Sequence, residues 1–289
     1  MKVKKRNIII FLTPSIILFS LVFLIPLIIV FSSSFSNWKS GVTLDFVGLH
    51  NYIKGFSDSK LTKALCNTLV WVLLQSVVHV TFGTIIAFVL SRKFKSWKVF
   101  RTIIMIPNVI SMAALAVIFL NIFSASQKGL INSIISFVIR SPFQWNWFFS
   151  TNTAFLTVTL TWLLFPGLIT ILVLTGISNV PIDIISSARI DGASNWQINI
   201  KIILPMIRNL LGTCVIIAAT SMLREFTLIF LTTNGGPGNA TINLPLYLYK
   251  TSLIDNNFGY ANMMGVILII LGITIVAIIN RIFRLNESD

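Results

Sequence analysis

Residues 181–205 read PIDIISSARIDGASNWQINIKIILP and lie between two long apolar runs. With Asp183, Arg189, Asp191, Asn195, Gln197, Asn199 and Lys201, the stretch is too polar for a bilayer interior, yet its pattern predicts order. Pro181 suits the first position of a helix, where its missing N–H is not needed. Asp183 then meets the positive end of the helix dipole. Gly192 suits the left-handed conformation that ends a helix, and Ser194 can cap a second one. That second helix is expected to bury Trp196, Ile200 and Ile203, and Pro205 to stop or kink it. Taken by itself, such a stretch is either an amphipathic connector on lipid headgroups or a docking surface for a partner.

The surroundings of this stretch set the class of the protein. Of 289 residues, 55% are hydrophobic and 10% charged, against about 25% charged in a soluble domain. The apolar residues gather in runs long enough to span a bilayer core of about 30 Å. The composition therefore predicts an all-α membrane protein of six spans, at about residues 8–32, 64–90, 103–123, 153–174, 210–231 and 261–282. The first run is too long for a signal peptide and is expected to be retained. Residues 1–289 are expected to form a single transmembrane domain.

Although the net charge is +14, it does not point to nucleic acid, because the basic residues sit beside the spans. One side holds Lys2, Lys4, Lys5, Arg6, Arg92, Lys93, Lys95, Lys98, Arg101, Arg189, Lys201, Arg208, Arg281 and Arg284. The other holds Lys39, Lys54, Lys60, Lys63, Lys128, Arg140 and Lys250. This bias predicts cytoplasmic termini and a cytoplasmic 181–205 loop in a multi-pass protein of the cell membrane. Cys66 and Cys214 fall in or near apolar runs and read as reduced, buried thiols.

Two further stretches stand out. Arg224-Glu225 falls inside the fifth run, where charges are costly. It reads as a structural pair, as the polar lining of a solute pathway, or as charges snorkelling to lipid. Thr233 to Thr241, TNGGPGNAT, reads as a tight turn with several positive-φ positions. The aromatic residues Trp38, Trp145 and Trp147 suit an interfacial belt or an external binding surface. No metal-ligand cluster and no G-x-x-x-x-G-K-[ST] motif occurs, so no cofactor is expected, and any ATPase would be a separate polypeptide.

ARIDGAS followed by ILP resembles the EAA loop of permease subunits of binding-protein-dependent ABC importers. Ser186, Ser187 and Ala188 occupy the E-A-A positions, Asp191 precedes the motif's Gly192, and Pro205 closes it. LTTNGGPGNAT, FVGLHNY after the first span and GLIN after the third are similar to carbohydrate-importing permeases of the maltose, lactose and glycerol-3-phosphate type. The resemblance implies a type I ABC importer permease (MetI-like) fold and a non-catalytic subunit. It also implies a second permease subunit in a heterodimer, a cytoplasmic ABC ATPase dimer, an extracytoplasmic solute-binding protein and a carbohydrate substrate in a membrane-lipid setting. In that family the loop docks by its shape into a cleft on the ATPase, and the motif's Glu, which could add an ion pair, is Ser186 here. The alternatives are an ATP-independent channel or ion-coupled carrier, which would predict inverted repeats or broken helices with intramembrane acids, and a membrane-embedded enzyme, for which no catalytic constellation is present. No repeat is found, and Glu225 is the one acid deep in a span.

Overall fold

Long apolar runs can bury their backbone polar groups in a membrane only by forming helices, and helices dominate this chain. The structure, a computed structural model, describes residues 5–39, 44–126 and 128–285. Lys2 and Lys4 of the charge count lie outside them. Among the described residues, five helices are long and apolar enough to cross a membrane: Phe11–Ser33, Ser59–Ser91, Ala154–Ser178, Arg208–Thr232 and Phe258–Phe283.

The third expected span departs from a straight helix. Trp97–Val109 and Met112–Ile122 meet at 104°. Ile110 is extended, and Ser111 starts a new helix by accepting the Ala114 N–H through its hydroxyl. A side-chain cap within an apolar run lets the helix stop and restart with one of its first donors satisfied.

The chain divides into two compact units, residues 1–62 with 247–270, and residues 63–246 with 271–289. In the first unit, FVGLHNY has a structural explanation. Asn51 donates to the carbonyls of Ser34 and Ser36, and the Tyr52 hydroxyl bonds the Ser34 hydroxyl at 2.8 Å. These contacts hold the end of the first helix against a two-stranded ribbon pairing Ser36 with Phe46. Asp58 is the polar centre of the unit. Its Oδ2 accepts from the Tyr247 and Tyr260 hydroxyls at 2.6 and 2.8 Å, and its Oδ1 accepts from the Lys60 and Leu61 N–H groups.

Burial works to raise the Asp58 carboxyl, but the two phenols and two backbone donors together outweigh it and hold it below its ordinary value of 3.8. The ionised form is thus favoured in the folded chain over the unfolded one. Its contribution is full above pH 3.8 and is lost as the pH falls through the lowered value. Asp58→Asn is therefore expected to lower thermal stability at neutral pH, by about 1.5–3 kcal/mol for a hydrogen bond to a charged group. The gap from wild type should close in acid. Melting curves across pH check this, and a gap that widens in acid would contradict the assignment.

In the second unit the helices approach through small residues, as membrane helices do. A Cβ at Gly83 would meet the Ile169 side chain at 2.9 Å, and Ala87 and Ala218 are buried beside Val173 and Cys214. Trp71 is fully buried, stacked on Phe155 with centroids 4.9 Å apart, and it donates to the Thr159 hydroxyl. Cys66, expected to be buried, is exposed on its helix. Both cysteines are free.

The GLIN and NGGPGNAT stretches are scaffolding as well. Asn132 of GLIN is fully buried, donates to the Trp145 carbonyl and accepts from Trp147 Nε1 at 2.7 Å. At least this Trp has its polar end committed within the chain. In NGGPGNAT, Asn234, Gly235, Gly238 and Asn239 all have positive φ. Asn67 fastens the end of the loop by donating to the carbonyls of Ala240 and Ile242.

Candidate functional site

The helix of the 181–205 loop runs Ile182–Ile190, with Asp183 in its first turn. Pro181 is its cap residue, with ψ 128°, one position earlier than expected. Gly192 has φ +81° and closes the helix in a Schellman motif. The Ala193 N–H reaches the Ala188 carbonyl at 2.9 Å, and the Gly192 N–H reaches that of Arg189 at 3.1 Å. Ser194 then caps Asn195–Ile198 in a reciprocal box with Gln197.

The buried face of this second helix differs from expectation. Trp196 is 71% exposed and Ile200 is exposed, whereas Ile198, Ile203 and Ile207 are buried. Ile198 already faces inward ahead of the π-helical turn over Asn199–Ile203. That five-residue turn then places Ile203 on the same inward face and leaves Ile200 outside. The same turn carries the chain through Pro205, which neither stops nor sharply breaks the helix before Ile207.

Ser186, Ser187, Asp191, Gly192 and Pro205 are exposed, and Ala188 is half-buried against the core with Ile185. The Ser186 and Ser187 hydroxyls make no hydrogen bond among the described residues. Ile190, 87% exposed, Ile182 and Trp196 leave a large apolar surface on an otherwise polar loop. Apolar exposure of this kind marks an interaction surface. The loop is thus packed from beneath and apolar outside.

The second feature lies within the helices. The spans break in three places: between Val109 and Met112, between Leu163 and Gly167, and between Leu223 and Thr227. The second break follows from Phe165-Pro166, since a residue before proline is driven out of the helical region. At the third break, Glu225 accepts the Leu228 N–H at 2.9 Å and caps the following turn. Arg224 is exposed and bonds back to the Thr220 carbonyl. The two charges do not pair with each other among the described residues.

A cavity of about 250 Å³ gathers residues at or beside these breaks, including Gln75, Asn108, Thr161, Trp162, Phe165 and Ser221. Arg224 and Glu225 do not line it. The Gln75 Oε1 is buried and has no hydrogen-bond partner. Gln75 opens a π-helical turn that ends at His79, whose Nδ1 lies 3.0 Å from the Leu163 carbonyl. Sequence reasoning passed over Gln75 and Asn108. The available signal was a lone amide in an apolar run, in LLQSVV and IPNVIS respectively.

Residues 79–287 match the family model described as "Binding-protein-dependent transport system inner membrane component". The osmoprotective compounds uptake permease protein of Synechocystis sp. is 30% identical over 96% of this chain and 99% of its own. The multiple sugar-binding transport system permease protein of Streptococcus mutans is 34% identical over 83% of this chain and 82% of its own. A chain of a bacterial ABC transporter involved in import of the acidic polysaccharide alginate superposes with TM-score 0.83. It is 21% identical, covering 97% of this chain and 96% of that one, and shares the fold.

Proposed function

Because this chain belongs to the family of inner-membrane components of binding-protein-dependent transport systems, we propose that it forms half of the pathway by which an ABC importer takes up a carbohydrate. The other half is a second permease subunit. ATP is hydrolysed by a separate cytoplasmic ATPase dimer, and the solute is delivered by an extracytoplasmic binding protein. In this reading the chain itself is non-catalytic, with both termini in the cytoplasm.

The observation that carries the reading is the outer surface of the 181–205 loop. Ile182, Ile190 and Trp196 are held outward by a Gly192 turn and by an anchor of Ile198 and Ile203 beneath. A loop meant only to join two spans has no need of such an anchored apolar face. Shape and apolar contact would carry the ATPase interaction here, since Ser186 brings no charge. Carbohydrate is favoured by the name of the Streptococcus mutans relative and by the cavity at the helix breaks. Amides and hydroxyls beside Trp162 and Phe165 suit a solute rich in hydroxyl groups.

Solute-stimulated ATP hydrolysis by the reconstituted complex, run over a panel of sugars with the cognate binding protein, tests the reading. Stimulation by a sugar or sugar-like solute is expected. Uptake without an ATPase would establish the carrier alternative instead.

Orientation has its own test. After removal of Cys66 and Cys214, single cysteines at Asn195 and Asn239 are treated in whole cells with a membrane-impermeant thiol reagent. Labelling is expected at Asn239 and not at Asn195. The reverse pattern would invert the topology.

A further inference from the structure

A second cavity, of about 840 Å³, opens behind the 181–205 loop at the ends of the helices Val80–Ser91 and Gly167–Ser178. Its size lies within the roughly 300–1,000 Å³ of small-molecule sites. Four cations line it: Arg92, Lys93, Arg101 and Arg189, and no acidic side chain does. None of the four side chains makes a hydrogen bond or ion pair among the described residues. The hydroxyls of Ser91, Thr175 and Ser178 already donate to backbone carbonyls one turn back. The side-chain donors left for a ligand are therefore the cations, with the amides of Asn195 and Asn199 and the indole N–H of Trp97.

Four cations facing one space repel one another unless an anion sits among them. The rest of the lining is largely aliphatic, with residues such as Ile171, Leu174 and Ile203. The helix Trp97–Val109, which brings Trp97 and Arg101 to the cavity, leaves Val99, Phe100 and Ile103 exposed. One helix thus offers a cation to the cavity and an apolar surface beside it. That is the order of groups met along a phospholipid, from phosphate to acyl chain. A basic pocket between spans is a recurrent site for anionic lipid headgroups.

We propose that this cavity binds the phosphate headgroup of an anionic glycerophospholipid from the leaflet on the side of the docking loop. The lipid would join the basic turn Arg92–Lys93 to Arg189 of the docking helix, so that membrane composition bears on coupling. The inference depends on the proposed orientation only for which leaflet supplies the lipid, and the Asn195 labelling decides that separately.

The test uses the full complex of both permeases and the ATPase in nanodiscs. The discs hold phosphatidylcholine alone or phosphatidylcholine with phosphatidylglycerol, the latter carrying a photoreactive group near its phosphate. Adducts are expected on the peptides around Arg92–Arg101 and Thr175–Arg189. The double variant R92Q/R101Q should weaken lipid capture about twenty-fivefold, at about fivefold for each cation beside an anionic surface. The control K95Q/K98Q removes the same charge from the same loop without touching the cavity, and it should retain capture. R92Q/R101Q should keep its solute-stimulated ATPase activity in phosphatidylcholine discs, which shows that it folds and assembles.

Equal loss in both double variants would reduce the effect to general surface charge and overturn the site. Displacement of the lipid by inorganic phosphate at matched concentration would make it a free-anion site. Adducts that appear only when the ATPase is left out would assign the cavity to an acidic segment of that partner. Either of these last results also overturns the proposal.

Discussion

Gly192→Val is expected to abolish solute-stimulated ATP hydrolysis by the assembled transporter while the chain still folds and inserts. Nothing lies within 4 Å of a Cβ at this position, so the cost is not a clash. It comes from the backbone, whose φ of +81° a β-branched side chain strongly disfavours. The strain is on the order of 1–3 kcal/mol. The exposed loop can relieve it by giving up the Ala193 to Ala188 hydrogen bond, which releases the C-terminal end of the helix Ile182–Ile190. Ile190 and Ser186 would then leave the positions the ATPase meets. Gly192→Ala should be intermediate, as a smaller left-handed penalty of about 1–2 kcal/mol applies.

Ser186→Ala makes the contrast. The hydroxyl has no partner among the described residues, and a neutral contact to the ATPase is worth about 0.5–1.5 kcal/mol. Transport should therefore stay within about tenfold of wild type. Co-purification with the partner subunits and solute-stimulated hydrolysis read both variants. A fully coupled Gly192→Val complex would remove the docking role from this loop. An inactive Ser186→Ala complex would show that the hydroxyl does work the apolar surface cannot.

Gln75→Leu is expected to change stability and transport in opposite directions. The Gln75 Oε1 is buried without a partner. Such an orphan costs about 1–3 kcal/mol, which leucine removes at similar volume. The melting temperature of the purified complex should rise. Transport should fall about tenfold or more, because a solute hydroxyl at the helix breaks would lose an acceptor worth about 1.4 kcal/mol or more. Unchanged transport would take Gln75 out of the pathway. A drop in melting temperature would show that the amide braces the π-turn Gln75–His79 rather than awaiting a ligand.

Arg224 and Glu225 show why the site was only partly legible. Their charge singled them out in an apolar run, and the run does break there. The hydrogen bonds these charges make, however, answer local backbone demand. Glu225 was drawn to the free N–H of Leu228, and Arg224 to the carbonyl of Thr220. Gln75, Asn108 and Ser221 carry no charge and gave no comparable signal, yet they line the cavity.

What the sequence determined by itself is what local spacing controls. The length and apolarity of the runs dictated helices, because backbone polar groups in lipid must be satisfied within the segment. Gly192 and the Ser194–Gln197 box were readable because a cap engages residues only a few positions away. What only the tertiary structure decided is where helices yield and what then meets. The π-turns at Gln75–His79 and Asn199–Ile203 each add a residue to one turn and rotate everything after it. That rotation brings Ile203 and Ile207 onto the buried face of Ile198, while Trp196, ahead of the turn, stays exposed. The 104° bend and the convergence of the breaks on one cavity depend on residues far apart in the chain. A helical run satisfies its own backbone whether straight or broken, so the choice rests with the packing of its neighbours.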